Sequence, residues 1–98
     1  MPGLRFDWDA RKSAANERKH GVSFEEAETA FADEHGLLRD DPEHSEDEDR
    51  FILIGLSASL RALVVCHCYR EGHDVIRLIS ARKATRSERQ QYRERWTA

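Results

Sequence analysis

The sequence predicts an α+β fold, a mostly antiparallel sheet with two helices before it and one after it. Two observations carry that expectation. Ser23 and Thr85 are each followed three residues later by a glutamate, Glu26 and Glu88, the capping-box pattern that opens a helix. Between them stand three β-branched and aliphatic runs, FILIGLS at 51–57, RALVVCHCY at 61–69 and DVIRLIS at 74–80, with breaks short enough for hairpins. A chain of 98 residues supports one hydrophobic core, so a single domain over 1–98 is expected. With 39% hydrophobic and 36% charged residues that core is thin, and helices laid on one sheet use it economically.

Each element has its own signal. Residues 4–8 open as a short strand, after which Asp9 is an N-cap for a helix that runs to His20 and stops at Gly21. The apolar face of that helix is weak: Ala10, Ala14 and Ala15, helped by Trp8 and the aliphatic stems of Lys12 and Lys19. The second helix spans 24–32, with Val22 stapled onto Ala27, and Phe24, Ala27 and Phe31 facing the core. Residues 36–39 form a short strand, and DDPEHSEDED then reads as an exposed loop of proline and like charge. Three hairpin-linked strands follow. The last helix starts at Arg86, with Arg86, Arg89 and Arg93 on one face and Tyr92 and Trp96 on an adjacent one.

The formal charge of −3 hides a bipolar arrangement. Nine acids stand against one base between Asp33 and Asp49, whereas six bases stand against two acids from Arg82 onward. A positive end on an acidic protein suits an anionic partner that meets one face. No run approaches the roughly 20 apolar residues that span a bilayer, and the first residues lack a signal-peptide core, so a cytoplasmic protein is expected. Cys66 and Cys68, one residue apart, close too small a loop for a disulfide and read as reduced. The sequence has no Gly-rich phosphate loop, Walker pattern or nucleophile elbow, which removes support for nucleotide and serine hydrolases.

Strand alternation puts Ala62, Val64, Cys66 and Cys68 on one face and Leu63, Val65, His67 and Tyr69 on the other. His67 therefore points away from both sulfurs, and without a second Cys/His pair no metal site is expected. Across the REGHD turn, a three-residue loop sets His67 opposite Arg77, and a two-residue loop sets it opposite Leu78. In the first register imidazole, phenol and guanidinium share one face, close to Arg82 and Lys83. Such a cluster has the parts for cleaving RNA without a metal or cofactor: a base for the attacking 2′-hydroxyl, a proton for the leaving oxygen, and cations for the charge developing on the phosphoryl oxygens. The same residues also fit a structural reading, a histidine in an internal hydrogen-bond network and arginines paired with the acidic loop. His20 reads as a C-terminal cap, and His35, His44 and His73 as solvated loop residues.

Two blocks carry a resemblance. FDWDARKSAANERKHGVSFEEAETAF and RFILIGLSASLRALVVCHCYREGHDVIRLISARKATRSERQQY, above all IRLISARKATRSER, resemble BrnT toxins across nearly the whole chain. The resemblance implies a RelE-like fold, ribonuclease activity that stops translation, and a BrnA-like ribbon-helix-helix antitoxin, through which alone the toxin would meet operator DNA. The matching polar positions are Lys12, Asn16, Lys19, His20, Arg61, His67, Arg77, Arg82, Lys83, Thr85 and Arg89. Of these, His67 as acid or base, Arg77 as phosphate stabiliser and Arg82 form the expected catalytic set. Arg61, Tyr69, Lys83, Arg86, Arg89 and Lys12 are the expected RNA-binding residues, while Asn16 and Thr85 serve local structure. The competing reading is a non-enzymatic binding protein or co-repressor acting through the basic C-terminal helix, where Tyr92 and Trp96 stack bases or anchor the helix.

Overall fold

Each β-branched run became a strand and each capping box opened a helix. The computed structural model describes residues 4–44, 48–72 and 74–97, the side chains of His44, Trp96 and Thr97 excepted. The expectations for His44, His73 and the Trp96 ring, and part of the acidic loop, lie outside the described residues. The chain order is β1 (Arg5–Asp7), α1 (Ala10–His20), α2 (Phe24–Thr29), a 3-10 turn (Ala30–Ala32), β2 (Leu37–Asp40), a 3-10 turn (Pro42–His44), β3 (Phe51–Leu56), β4 (Ala62–Arg70), β5 (Val75–Lys83) and α3 (Arg86–Thr97). The strands form one sheet in the order β1-β5-β4-β3-β2. Every neighbouring pair is antiparallel except β1 with β5, because α1, α2 and three strands intervene in the chain. The α+β architecture is thus the expected one.

Register decides what each face carries. Near the β4–β5 turn, His67 pairs with Leu78 and Cys68 with Arg77, but Cys66 already pairs with Ser80. Ile79 is therefore an extra residue, a β-bulge. Leu78 and Ala81, three positions apart, consequently share the face of α1 and α2, where they are buried with Phe24, Ala27, Leu53, Leu63, Val65 and Ile76. Ile54 and Val64 lie on the other face, in a smaller cluster with Ala84, just after β5, and Tyr92 of α3. The longer β5, reaching Lys83 instead of residue 80, follows from the bulge, which lets pairing continue past the break in alternation.

Two expectations about the helices change. Helix α2 ends at Thr29, where the Thr29 hydroxyl donates to the Glu26 carbonyl at 2.6 Å, and the chain tightens into the 3-10 turn. In α1 the buried residues are Ser13 and Asn16, while Ala10, Ala14 and Ala15 face solvent. The reason is an edge. β1 stops at Asp7, paired with Arg77, which leaves β5 without a strand on that edge beyond this point. The Asn16 amide takes the neighbour's place: Oδ1 accepts from the Ala81 N–H at 3.0 Å, and Nδ2 donates to the Ala81 and Val22 carbonyls at 2.8 and 2.9 Å.

Helix α3 is fixed at both ends of its contact with the sheet. The Thr85 N–H donates to Glu88 and the Glu88 N–H to the Thr85 hydroxyl, closing the expected capping box. Both oxygens of Glu88 also accept from Arg82, at 2.7 and 2.9 Å. Those bonds outweigh burial and hold the Glu88 carboxyl near 2. Farther along, the Tyr92 hydroxyl donates to Asp33, whose carboxylate also accepts the Leu56 and His35 N–H groups. Burial opposes ionisation of Asp33, but these donors together keep its carboxyl below the usual range.

Asn16→Ala strands backbone groups of Ala81 and Val22 and should lower unfolding free energy by about 2–3 kcal/mol in a urea titration. The Glu88 carboxyl should make stability acid-sensitive. A depressed pKa contributes stability present above the unfolded value of 4.5 and lost as pH falls toward about 2. Glu88→Gln should cost about 1–2 kcal/mol at neutral pH and flatten the thermal-midpoint curve below pH 4.5.

Candidate functional site

The sheet face opposite α1 and α2 carries an arginine from every strand or its entrance. Pairing places Arg5 on β1, Arg39 on β2, Arg50 just before β3, Arg70 on β4, and Arg77 and Arg82 on β5 on that one face. Strict alternation would separate Arg77 from Arg82, which are an odd number of residues apart. The bulge at Ile79 reverses the parity between them and brings both to the open face. Carboxylates hold most of these guanidinium groups: Asp7 on Arg77, Glu71 on Arg5 at 2.8 Å, Glu48 on Arg70 at 3.3 Å, and Glu88 on Arg82 at 2.7 Å.

Beside α3 this face dips into a cleft of about 190 Å³ lined by Asp41, Arg50, Ile52, Val64, Cys66, Ile79, Ser80 and Arg82. Here the acidic loop folds back, with Asp41 3.8 Å from the Cys66 sulfur. Burial, assisted by the Asp41 charge, pushes the Cys66 thiol up to about 11, so it is no nucleophile at neutral pH. The cleft has groups that bind a phosphodiester, guanidinium donors in planar forks and a hydroxyl, with one carboxylate beside them that can accept a proton.

The other expected site residues lie elsewhere. His67 and Tyr69 are on the helix side of the sheet, as alternation requires, but that side is the core: His67 is 0% exposed. Its ring is ringed by Phe31, Phe51 and Tyr69. Because Nδ1 lies 3.1 Å from the Val65 carbonyl, which can only accept, Nδ1 carries the proton and Nε2 accepts from the Tyr69 hydroxyl at 3.3 Å. Burial lowers the His67 pKa and raises that of Tyr69, so both are neutral at physiological pH. The register is the one that sets His67 opposite Leu78, and the imidazole–phenol–guanidinium cluster does not form. His67 does not reach the face that holds Arg77 and Arg82.

Arg61 and Lys83 lie at a third place, the end of the sheet beside α2. Arg61 is locked by Glu26, whose carboxylate accepts from its Nε at 2.9 Å, and it also donates to the Gly21 carbonyl at 3.0 Å. The Arg61 hydrogen bonds, with burial opposing and Ser57 assisting, lower the Glu26 pKa, and Lys83 adds a weaker favourable charge. Lys12 is exposed on α1, across the sheet from the arginine face. Arg86 and Arg89 are exposed on α3, where Arg89 donates to the Ala84 carbonyl at 2.8 Å. Arg5, Arg39, Arg50 and Arg70 were not anticipated, since no local motif joins them; only strand pairing does.

Comparison with known proteins gives the same fold. No curated protein matches the sequence significantly. A 1.1 Å crystal structure of the Brucella abortus ribonuclease toxin, BrnT, superposes with a TM-score of 0.61, covering 86% of this chain and 100% of that one, at 24% identity. The model of the family described as the ribonuclease toxin, BrnT, of type II toxin-antitoxin systems matches residues 8–88, so this chain belongs to that family.

Proposed function

We propose that the chain is a metal-independent endoribonuclease, one domain over 1–98, that seats its substrate on the arginine face. Membership in a ribonuclease toxin family makes RNA its substrate and an antitoxin its partner. We read that antitoxin as a BrnA-like ribbon-helix-helix protein, the only route by which the toxin meets operator DNA, and the cytoplasm as its compartment. No helix among the described residues is long and apolar enough to cross a membrane. The observation that supports this site is the convergence of Arg77 and Arg82 on one open face, beside a cleft that also holds Arg50 and Asp41.

The chemistry follows from the cleft. A phosphodiester seated there meets Arg82, fixed by Glu88, and Arg50, whose N–H groups offset the charge that builds on the phosphoryl oxygens as the 2′-hydroxyl attacks phosphorus. Asp41 takes the proton of that hydroxyl, and the leaving 5′-oxygen draws one from solvent through the open mouth. Arg77 lies about 15 Å farther along the same strand, too far for the same phosphate. It binds a neighbouring one and sets the register of the RNA. His67 holds the sheet's helix side together.

Cleavage of a generic RNA in excess chelator should fall by a factor of about 100 or more in Arg82→Ala. Arg77→Ala should mainly raise KM, about tenfold. His67→Gln should leave the rate per folded molecule within about threefold, while lowering stability by about 1–3 kcal/mol. Loss of cleavage in folded His67→Gln with full activity in Arg82→Ala would sink this site. If even the parent is silent, both on free RNA and with translating ribosomes, the co-repressor reading takes over, and reversing Arg86, Arg89 and Arg93 should then abolish function.

A further inference from the structure

The β3–β4 hairpin contains a leucine where its geometry asks for glycine. The Leu60 N–H donates to the Ser57 carbonyl, and the Ser57 N–H to the Arg61 carbonyl, both at 2.9 Å. Leu60 itself has φ +62°. This is a type I turn closed by a left-handed residue in a bulge, the position at which glycine avoids the clash of a Cβ. The Leu60 side chain recovers little of that cost within the monomer, because it is 77% exposed. A lone exposed leucine needs no explanation. An exposed leucine in a strained backbone does, since replacing it with glycine would relieve the strain and lose almost no burial.

What lies beside Leu60 supplies the explanation. Leu56, Leu60, Ala62 and Tyr92 line an apolar groove of about 480 Å³, rimmed by Arg89 and Arg93 of α3. The groove and the arginine cleft lie on opposite sides of α3. Ile54 and Val64 pack against Tyr92 beneath the helix, Ile52 and Cys66 line the cleft, and Leu56 and Ala62 line the groove.

We infer that this groove is where the antitoxin docks, through a segment that places apolar side chains on Leu60, Leu56 and Ala62 and a carboxylate on Arg89 or Arg93. The inference rests on the toxin-antitoxin reading above. Charge complementarity selects an acidic segment, and the apolar floor selects protein over RNA. A nucleic acid would satisfy the arginines but leave Leu60 and Leu56 without a partner, and the Tyr92 ring that could stack a base is already buried. The guanidinium of Arg89 is steadied by its bond to the Ala84 carbonyl, which leaves its other N–H groups to meet a carboxylate. Arginine is among the residues enriched at interface hot spots, and apolar neighbours that exclude water strengthen its pairing with a carboxylate.

The test is titration of purified full-length cognate antitoxin into the toxin, comparing the parent with Leu60→Gly, Leu60→Asp and Arg93→Glu. Leu60→Gly should leave the thermal midpoint equal or higher, keep RNA cleavage within threefold of the parent, and weaken antitoxin binding at least tenfold. Leu60→Asp and Arg93→Glu should each weaken it further by repelling carboxylates. Unchanged antitoxin affinity in both Leu60 variants overturns the proposal. So does loss of RNA binding in Leu60→Gly, which would give the groove to RNA, or a parent dimer dissolved by Leu60→Asp, which would give it to a second copy. If the parent cuts no RNA, the nuclease site falls while the affinity comparison still decides the groove.

Discussion

One extra residue in β5 governs where everything else sits. Sheet faces alternate strictly, so a strand of even register would divide Arg77 from Arg82 and expose either Leu78 or Ala81. With Ile79 left out of the pairing, Leu78 and Ala81 both reach the helix side and both arginines reach the open side. The bulge costs a local break in the ladder. In return the strand buries a continuous apolar row and presents two cations on one surface, an arrangement unavailable to a regular strand.

Polar hooks complete the helix side where apolar area is scarce. Asn16 acts as a missing strand against Ala81, and Glu26 ties Arg61 and Ser57 to the start of α2. These bonds are directional, so they fix the position of α1 and of the β3–β4 turn more narrowly than a few alanines could. Asp33 does the same for α3 by gathering Tyr92, Leu56 and His35. Each hook joins segments distant in sequence, and together they hold the helices and the β3–β4 turn against the sheet.

That distance explains what the sequence could and could not disclose. Capping boxes, hairpin breaks and β-branched runs act over a few residues, so Ser23, Thr85 and the three long strands were legible. Alternation correctly set His67 opposite Cys66 and Cys68, but which face the helices would cover depends on packing by Phe31 and Phe24, and no local pattern states it. His67 therefore read as a candidate acid or base on a sheet face, and the structure places it in the core. The bulge was unreadable for the same reason, although the spacing of Ile76, Leu78 and Ala81 breaks alternation where it occurs. Arg5, Arg39 and Arg70 come from three separate strands and Arg50 from the entrance of a fourth, and the sheet alone assembles them.

The pairing of these arginines with carboxylates reconciles a net acidic protein with a polyanionic substrate. An unpaired arginine face would repel itself and attract any polyanion. Part of the acidic run, Asp41 and Glu48, instead folds onto that face and partly discharges it. Exposed ion pairs such as Arg5–Glu71 and Arg70–Glu48 are worth only about 0–1 kcal/mol, so a phosphate can exchange for the carboxylate at little cost. Arg82 differs, because Glu88 grips it bidentately and is itself held by the cap of α3. A guanidinium so fixed keeps its plane. In the site proposed above, the peripheral arginines would thus be the exchangeable contacts that gather RNA, and Arg82 the rigid one against which the reacting phosphate is aligned.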